Sequence, residues 1–317
     1  MIVAQPANSL ANQMFAYASV KSIALDRNLE FKYINKHASF WENINASNDK
    51  KYGRDFDTIF SISNDECLSD LPPNLNVINQ GLCENTGKVW HTYQRRMLEI
   101  PDNSLVEGIL ASPQYFVHRL EEVRNWFCFR PDIEACAEQK INDLRKKYPG
   151  KKIISIHFRV GKNYRDGGYL LKYSYWKVAA EYIMKYYQGN LIFLVFYDRW
   201  MRYPAKITSL FPCEIYHGSS AEDLCLMTKC DGNILSNSTF SIWGALLNTT
   251  SEITVRPSVY PIHSNMIQED SFLDSWEIVK AERNLISAFL GGIIHYDGMK
   301  RRIANFFYKL MTRCNNI

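Results

Sequence analysis

The second half of the chain alternates apolar runs with amphipathic stretches in a regular order. The apolar runs predict strands at residues 153–157, 191–197, 213–216, 233–236 and 252–255. The stretches between them predict helices near residues 174–187, 200–210, 220–229 and 240–248. Strands that alternate with helices are typical of a parallel sheet covered on both faces. We therefore predict an α/β fold for this half.

The first half has a weaker pattern. Residues 1–3 predict a short strand, and a polar turn leads from it into a helix. A second strand is predicted at residues 106–110, followed by helices at residues 113–129 and 131–148. The order of strand, polar turn and helix is typical of ligand-binding α/β folds.

The chain length and a Pro-Gly pair indicate the domain organisation. The chain has 317 residues, of which 46% are hydrophobic, so it can bury a large core and favours about two domains. A Pro-Gly pair between Tyr148 and Lys152 interrupts the pattern, and we place the boundary there. The predicted units are an N-terminal domain at residues 1–149, a C-terminal domain at 150–285 and a basic helix at 286–317.

Composition narrows the class of protein. A net charge of +4 is too small for a dedicated nucleic-acid binder, so we expect no nucleic-acid partner. The eight cysteines are scattered without a C-x-x-C pair, which indicates reduced thiols and neither zinc nor a disulfide framework. The N-terminus lacks the features of a signal peptide, and the longest apolar run is too short to span a bilayer. We expect a cytoplasmic protein.

The first block with candidate chemistry follows the strand predicted at residues 153–157. His157, Arg159 and Gly161 come at the end of that strand, where open parallel sheets bind ligands. The planar guanidinium of an arginine suits a phosphate or a diphosphate. The alternative is an arginine that caps strand-end carbonyls or pairs with a surface acid.

The second block is Ser-Asn-Ser-Thr at residues 236–239, which leads from a short strand into a helix. Such residues cap helices, and the free N–H groups of a helix's first turn bind anions. If the two strands are neighbours, Arg159 and the amides of residues 238–241 hold one diphosphate from two sides. The alternative is a capped helix without a ligand. The predicted donor-binding residues of this block are Asn237, Ser238, Thr239, Phe240 and Ser241.

The third block covers residues 8–18, with Asn12 and Gln13 at the start of the first predicted helix. Their amides could bind sugar hydroxyls or a phosphate, or could simply cap the helix. Asp198 ends the strand predicted at residues 191–197. It is a candidate for binding the nucleoside, and a turn-forming role is the alternative.

Together the three blocks resemble the bacterial α-1,2-fucosyltransferases, glycosyltransferase family 11. Residues 8–18 match the pattern G-G-L-G-N-Q-M-F-Q-Y-A except at Asn8, Ser9, Ala11 and Ala16. Residues 236–245 match S-N-S-T-F-S-W-W-G-A except at Ile242. Residues 157–164 match H-x-R-R-G-D-Y in part. Further similarity at residues 106–116 and 223–230 extends the resemblance from about residue 5 to about residue 255.

The resemblance implies a GT-B-type fold, in which two Rossmann-like lobes with parallel sheets enclose an inter-lobe cleft. The N-terminal lobe then faces the acceptor and the C-terminal lobe binds the GDP-sugar donor. The implied reaction is inverting and metal-independent, without a cofactor. It moves L-fucose from GDP-β-L-fucose to O2 of a terminal galactose in an oligosaccharide or a lipid-linked glycan, as in O-antigen assembly. The alternatives are transfer of a different nucleotide sugar and a catalytically weak binding relative.

The resemblance also implies residue roles. Arg159 would neutralise the diphosphate as it leaves, and Asn12, His157 and Asp166 complete the predicted catalytic group. The chain has Val160 in place of the second arginine, and Gly161, Lys162 and Asn163 in place of the Gly-Asp pair. We interpret Lys162 as a second cation in the donor site and Asp166 as a replacement carboxylate. The candidates for the base are Asp166, His157 and, more distantly, Asp223 or Glu222; a mechanism without a strong base is the alternative.

Residues 289–311 place basic and apolar side chains at helical spacing. The basic residues are Lys300, Arg301, Arg302 and Lys309, and the apolar residues are Ile303, Phe306, Phe307 and Leu310. Such a helix favours an anionic membrane surface, which predicts peripheral contact at the inner face of the plasma membrane. A helix that packs across the two lobes is the alternative.

Overall fold

The computed structural model describes residues 1–6, 9–34, 56–80, 93–161, 164–165, 168–198, 202–259 and 269–282. The first sheet comprises β1 (Ile2–Gln5), β2 (Phe31–Ile34), β3 (Cys67–Leu68), β4 (Asn76–Asn79) and β5 (Ser104–Glu107). These strands are parallel and lie in the order β3-β2-β1-β5-β4. Helix α1 (Leu10–Asp26) follows β1, and α2 (Phe56–Ile59) precedes β3.

Two helices connect the halves of the chain, namely α3 (Leu120–Trp126) and α4 (Pro131–Lys147). The second sheet then comprises β6 (Lys152–Phe158), β7 (Leu191–Tyr197), β8 (Cys213–Ile215), β9 (Gly232–Ile234), β10 (Ile253–Pro257) and β11 (Glu277–Val279). Its strands are parallel and lie in the order β11-β10-β9-β6-β7-β8. Its helices are α5 (Tyr173–Tyr186), α6 (Arg202–Leu210), α7 (Ser220–Met227) and α8 (Thr239–Leu246).

The two parallel sheets confirm the predicted α/β, GT-B-type class. The apolar runs at residues 153–157 and 191–197 form β6 and β7, which are buried along almost their whole length as expected for central strands of a parallel sheet. The predicted boundary between Tyr148 and Lys152 falls in the connection from α4 to β6. The division into domains stays a prediction, and residues 286–317 lie outside the described part of the chain.

The structure corrects two predictions in the first half. The helix predicted at residues 113–129 is instead two short 3₁₀ turns followed by α3, because Phe116 adopts φ −142° and ψ 1°, outside the helical region. The strand predicted at residues 106–110 ends at Glu107. It cannot reach Leu110, whose φ of +46° is left-handed. Strands β2, β3, β4 and β11 were not predicted from the sequence.

Helix α1 connects the two halves by packing against α8. One apolar core contains residues of both sheets, among them Ile2 of β1 and Phe196 of β7. At its centre the fully buried Trp243 of α8 stacks on Phe116, with ring centroids 5.5 Å apart, and its indole N–H donates to the carbonyl of Ala11, 3.0 Å away. These contacts hold the N-terminal turns of α1 and α8 side by side.

Candidate active site

The carboxyl ends of β6, β7 and β9 meet at one edge of the second sheet. In the strand register Phe158 lies beside Tyr197, and Ile156 lies beside Ile234. The segments that follow these strands carry Arg159, Asp198 and the Ser-Asn-Ser-Thr block. The predicted neighbouring position of the two blocks is therefore correct, and it is the edge where parallel sheets bind ligands.

Arg159 forms an ion pair at this edge. Its Nη1 atom lies 3.0 Å from Asp198 Oδ2, and 34% of the arginine side chain remains exposed. The Asp198 carboxylate also accepts the backbone N–H groups of Val160 at 2.8 Å and Gly161 at 3.0 Å. A Cβ atom on Gly161 would lie 2.5 Å from Asp198 Oδ2, so any other residue here would displace the Asp198 carboxylate. Asp198 thus shapes the loop after β6, and its predicted role in nucleoside binding stays a prediction.

Tyr164 connects Arg159 to the second block. The guanidinium carbon of Arg159 lies 5.1 Å from the centre of the Tyr164 ring, and the tyrosine hydroxyl donates to the carbonyl of Asn237, 2.9 Å away. Burial raises the pKa of Tyr164, so the hydroxyl is protonated and remains a donor at neutral pH. Tyr164 lies in the motif at residues 157–164, but its role was not predicted from the sequence.

His157 is buried behind Arg159. Its Nδ1 atom lies 2.8 Å from Ser236 Oγ, and its ring lies 5.5 Å from that of Phe240. Burial lowers the pKa of His157 to about 3, and the charge of Arg159 adds to this effect. The imidazole is therefore neutral at physiological pH, and so low a pKa makes it a weak base.

A neutral buried histidine predicts a specific pH dependence of stability. In the unfolded chain the pKa of His157 returns to about 6.5, so unfolding binds a proton between about pH 3 and pH 6.5 and the stability falls as the pH falls through that window. Replacing His157 by Asn, whose amide can contact Ser236, should reduce the slope of unfolding free energy against pH by about 1.4 kcal/mol per unit. Urea unfolding from pH 4 to pH 8 measures it. Parallel curves for the two proteins would contradict a neutral His157.

The segment before α8 is buried and highly hydrogen-bonded. The Ser241 hydroxyl donates to the carbonyls of Ser236 at 3.1 Å and Ser238 at 3.0 Å. The Asn237 amide donates to the carbonyl of Tyr169 at 2.8 Å. The other atom of this amide, Asn237 Oδ1, is buried and has no hydrogen-bond partner among the described residues. A buried acceptor without a partner is unfavourable by about 1–3 kcal/mol, so the donor of a ligand or a water is expected beside it.

The N-termini of α1 and α8 are in contact. The Thr239 hydroxyl donates to Asn12 Oδ1 at 3.0 Å, which brings the first and third sequence blocks together. Both helix ends carry partial positive charge from unpaired N–H groups. Gln13 has a different function, because it is buried and its Oε1 atom accepts the N–H of Phe56 at 3.3 Å.

The remaining candidates for the base differ in position. Glu222 forms a capping box with Ser219 at the start of α7, and Asp223 accepts the N–H of Gly218 at 2.9 Å. Both carboxylates therefore hold the α7 terminus. Lys162 and Asp166 lie outside the described residues, so their predicted roles stay predictions.

A polar row at the carboxyl edge of the first sheet was missed in the sequence. Gln5, Glu107 and Asn79 are the last residues of three adjacent strands and are aligned by the strand register. Asn79 donates to Glu107 Oε2 at 3.3 Å. The loop after β5 reaches the segment after β10, where Ser112 Oγ donates to the carbonyl of Asp270 at 2.5 Å. The signal was weak because β4 is short and mostly exposed.

Two features are absent from the described residues. No group of three or more His, Cys, Asp or Glu side chains in those ranges is arranged to hold a metal ion. Among the helices described, none combines the length and the apolar character needed to cross a bilayer. Residues 289–311, for which membrane contact was predicted, lie outside the described part.

Two parallel sheets, with an arginine and a helix N-terminus at a carboxyl edge, define an α/β protein with the arrangement that is typical of anion sites in such folds. The sequence profile of glycosyl transferase family 11 matches residues 89–280. The chain belongs to this family. The matched range contains the Arg159 block and the Ser-Asn-Ser-Thr block, whereas residues 8–18 precede it.

Individual relatives are more distant. Over 116 residues the chain is 34% identical to the O-antigen biosynthesis glycosyltransferase WbnK of Escherichia coli, a match that covers 34% of this chain and 36% of that protein. The chain thus matches about a third of the relative's length. Among solved structures, the fucosyltransferase NodZ from Bradyrhizobium is 14% identical with a TM-score of 0.49, over 84% of this chain and 98% of that one. POFUT1 in complex with GDP is 9% identical with a TM-score of 0.46, over 80% and 97%.

Proposed function

We propose that the protein is an inverting fucosyltransferase that moves L-fucose from GDP-β-L-fucose to O2 of a terminal galactose. The acceptor is an oligosaccharide or a lipid-linked glycan in the assembly of a surface polysaccharide such as an O-antigen. The observation that carries the proposal is the joint position of a partly exposed Arg159 and the N-terminus of α8 at one sheet edge. Membership of family 11 and the similarity to WbnK support it.

The leaving group explains why this edge is suited to the reaction. Negative charge builds on the diphosphate as the bond to fucose breaks. The Arg159 guanidinium and the first-turn N–H groups of α8 are already in place to stabilise that charge. Because they interact more strongly with the departing diphosphate than with the intact donor, they lower the barrier. On this proposal these groups neutralise the leaving diphosphate without a metal.

The acceptor approaches from the first sheet in this proposal. Inversion requires the acceptor hydroxyl to attack the anomeric carbon on the side opposite the diphosphate, whose site lies on the second sheet. The polar row of Gln5, Asn79 and Glu107 offers amide and carboxylate groups that suit sugar hydroxyls. Asn12 lies between the two edges through its contact with Thr239. For proton acceptance from the hydroxyl we propose Asp166, with neutral His157 as the weaker candidate and a mechanism without a strong base as the alternative.

The test is transfer by the purified protein without added metal. GDP-fucose with lactose or N-acetyllactosamine should release GDP and give a product whose fucose is linked to O2 of galactose, identified by NMR. Excess EDTA should not change the rate. Transfer from a different nucleotide sugar alone would exclude fucose as the donor, and transfer to another hydroxyl would exclude the 1,2 linkage.

One observation favours a second candidate, a transferase of the same fold that uses another nucleotide sugar. Val160, which occupies the place of the second arginine in the family pattern, is 1% exposed and belongs to the apolar core of the second sheet. No charge can therefore reach the donor from this position. A changed donor, or a protein that binds GDP without turnover, would follow from such a loss. The same donor screen distinguishes these outcomes.

A further inference from the structure

Arg159 lies in a block that departs from the family pattern. The pattern has two arginines and an aspartate in this block, whereas the chain buries Val160 in the core. A single guanidinium on a loop can rotate and move, and it stabilises a transition state well only when its position is fixed beforehand. Residues that contact Arg159 can fix that position.

Asp198 fixes the loop and the guanidinium at once. Its two carboxylate oxygens accept the N–H groups of Val160 and Gly161, and Oδ2 also contacts Arg159 Nη1 at 3.0 Å. The Asp198 backbone N–H donates to the carbonyl of Phe158 at 3.2 Å, which anchors the aspartate to the end of β6. The arginine and the turn that carries it are thus bound to one carboxylate, 17% exposed.

Tyr164 fixes the spacing between Arg159 and α8. Its ring lies against the guanidinium, and its hydroxyl donates to the carbonyl of Asn237, two residues before α8 begins. The ring makes the cation–π contact and the hydroxyl of the same rigid side chain makes the hydrogen bond. The tyrosine therefore sets the separation between the arginine and the N-terminus of α8.

We infer that Asp198 and Tyr164 are positioning residues, which hold Arg159 at a fixed distance from α8 in a block that lacks the second arginine and the aspartate of the family pattern. The inference rests on the proposed function, because it gives both residues a role in diphosphate departure. It differs from the prediction that Asp198 binds the nucleoside. A positioning residue affects turnover through Arg159, whereas a nucleoside ligand affects GDP affinity directly.

The experiment combines two conservative variants with matched controls. Asp198→Asn and Tyr164→Phe should each lower kcat by about 10–100-fold and change the Kd for GDP by less than about threefold, since a small misplacement of a catalytic group has effects of this size. Asp231→Asn is the control for the first variant. Asp231 also accepts a β6 N–H, that of Ile153 at 2.8 Å, and lies 3.8 Å from an arginine, at the opposite end of the strand. Tyr175→Phe is the control for the second, because its hydroxyl donates to the Leu235 carbonyl.

A double-mutant test with Arg159 distinguishes a positioning residue from a nucleoside ligand. In an Arg159→Ala background, Asp198→Asn should cause no further fall in kcat, because its effect acts through the arginine. The inference is wrong if the two effects multiply, if GDP affinity falls more than tenfold, or if the control variants lose as much kcat.

A second measurement does not depend on the donor. The NMR signals of the Arg159 guanidinium should show hindered rotation in the wild-type protein and averaged signals in Asp198→Asn. Absence of fucosyl transfer by the wild-type protein would overturn the proposed function alone. Unchanged guanidinium signals in the variant would overturn the positioning role.

Discussion

Replacing Arg159 by alanine should lower kcat by about 10²–10³-fold, the usual effect of removing one preorganised group that stabilises charge in a transition state. The guanidinium is 34% exposed and faces the edge shared with the N-terminus of α8, so it is available to a diphosphate. Arg159→Lys should recover only part of the loss, because an ammonium group lacks the planar fork that can contact Asp198 and a phosphate together. Steady-state kinetics with GDP-fucose measure both variants.

Control measurements separate catalysis from folding. Arg130→Ala removes an arginine that is 54% exposed and paired weakly with Asp132 at 3.7 Å, so it should leave kcat unchanged. The thermal midpoint of Arg159→Ala should stay near that of the wild-type protein. If the variant loses GDP affinity while kcat remains normal, Arg159 contributes uniform binding and not transition-state stabilisation.

The central strands and the arginine site were predictable because their sequence signals are local. Buried parallel strands such as β6 and β7 are continuous apolar runs, and a ligand edge follows from where those runs end. The Ser-Asn-Ser-Thr block likewise predicts the start of a helix from local sequence, because these residues are favoured at helix N-termini. The exposed and short strand β4 has only Val77 and Ile78 between two asparagines, too little for a period to be recognised.

The contacts around Arg159 were not predictable, since they join segments distant in sequence. Asp198 comes 39 positions after Arg159 and meets it only because β6 and β7 are neighbours in the sheet. Tyr164 acquires its role from the carbonyl of Asn237, on a third segment. Spacing in the sequence does not encode contacts between distant segments. For this reason the sequence could not decide between nucleoside binding and a turn for Asp198, and it predicted no role for Tyr164.

Trp243→Ala should lower the free energy of unfolding by about 3–5 kcal/mol, the range for truncating a large buried aromatic residue. The side chain is fully buried, and its ring centroid lies within 5.5 Å of those of Phe15, Phe116 and Phe127. The cavity left by alanine would therefore be lined by apolar surface, and water could not fill it favourably. Urea unfolding at neutral pH measures the loss. Trp126→Ala, at a partly exposed tryptophan, should lower the free energy of unfolding by a smaller amount.

The same substitution should also reduce activity, because Trp243 holds α8 against α1. Its indole N–H bonds to Ala11, next to Asn12, so the cavity left by alanine allows the two helix N-termini to separate. Trp243→Phe keeps an aromatic ring but loses this bond. It should lose less stability than Trp243→Ala, yet lower kcat measurably under conditions where the protein remains folded. Full activity in a folded Trp243→Phe protein would show that the contact between α1 and α8 supports the core alone and does not position the site.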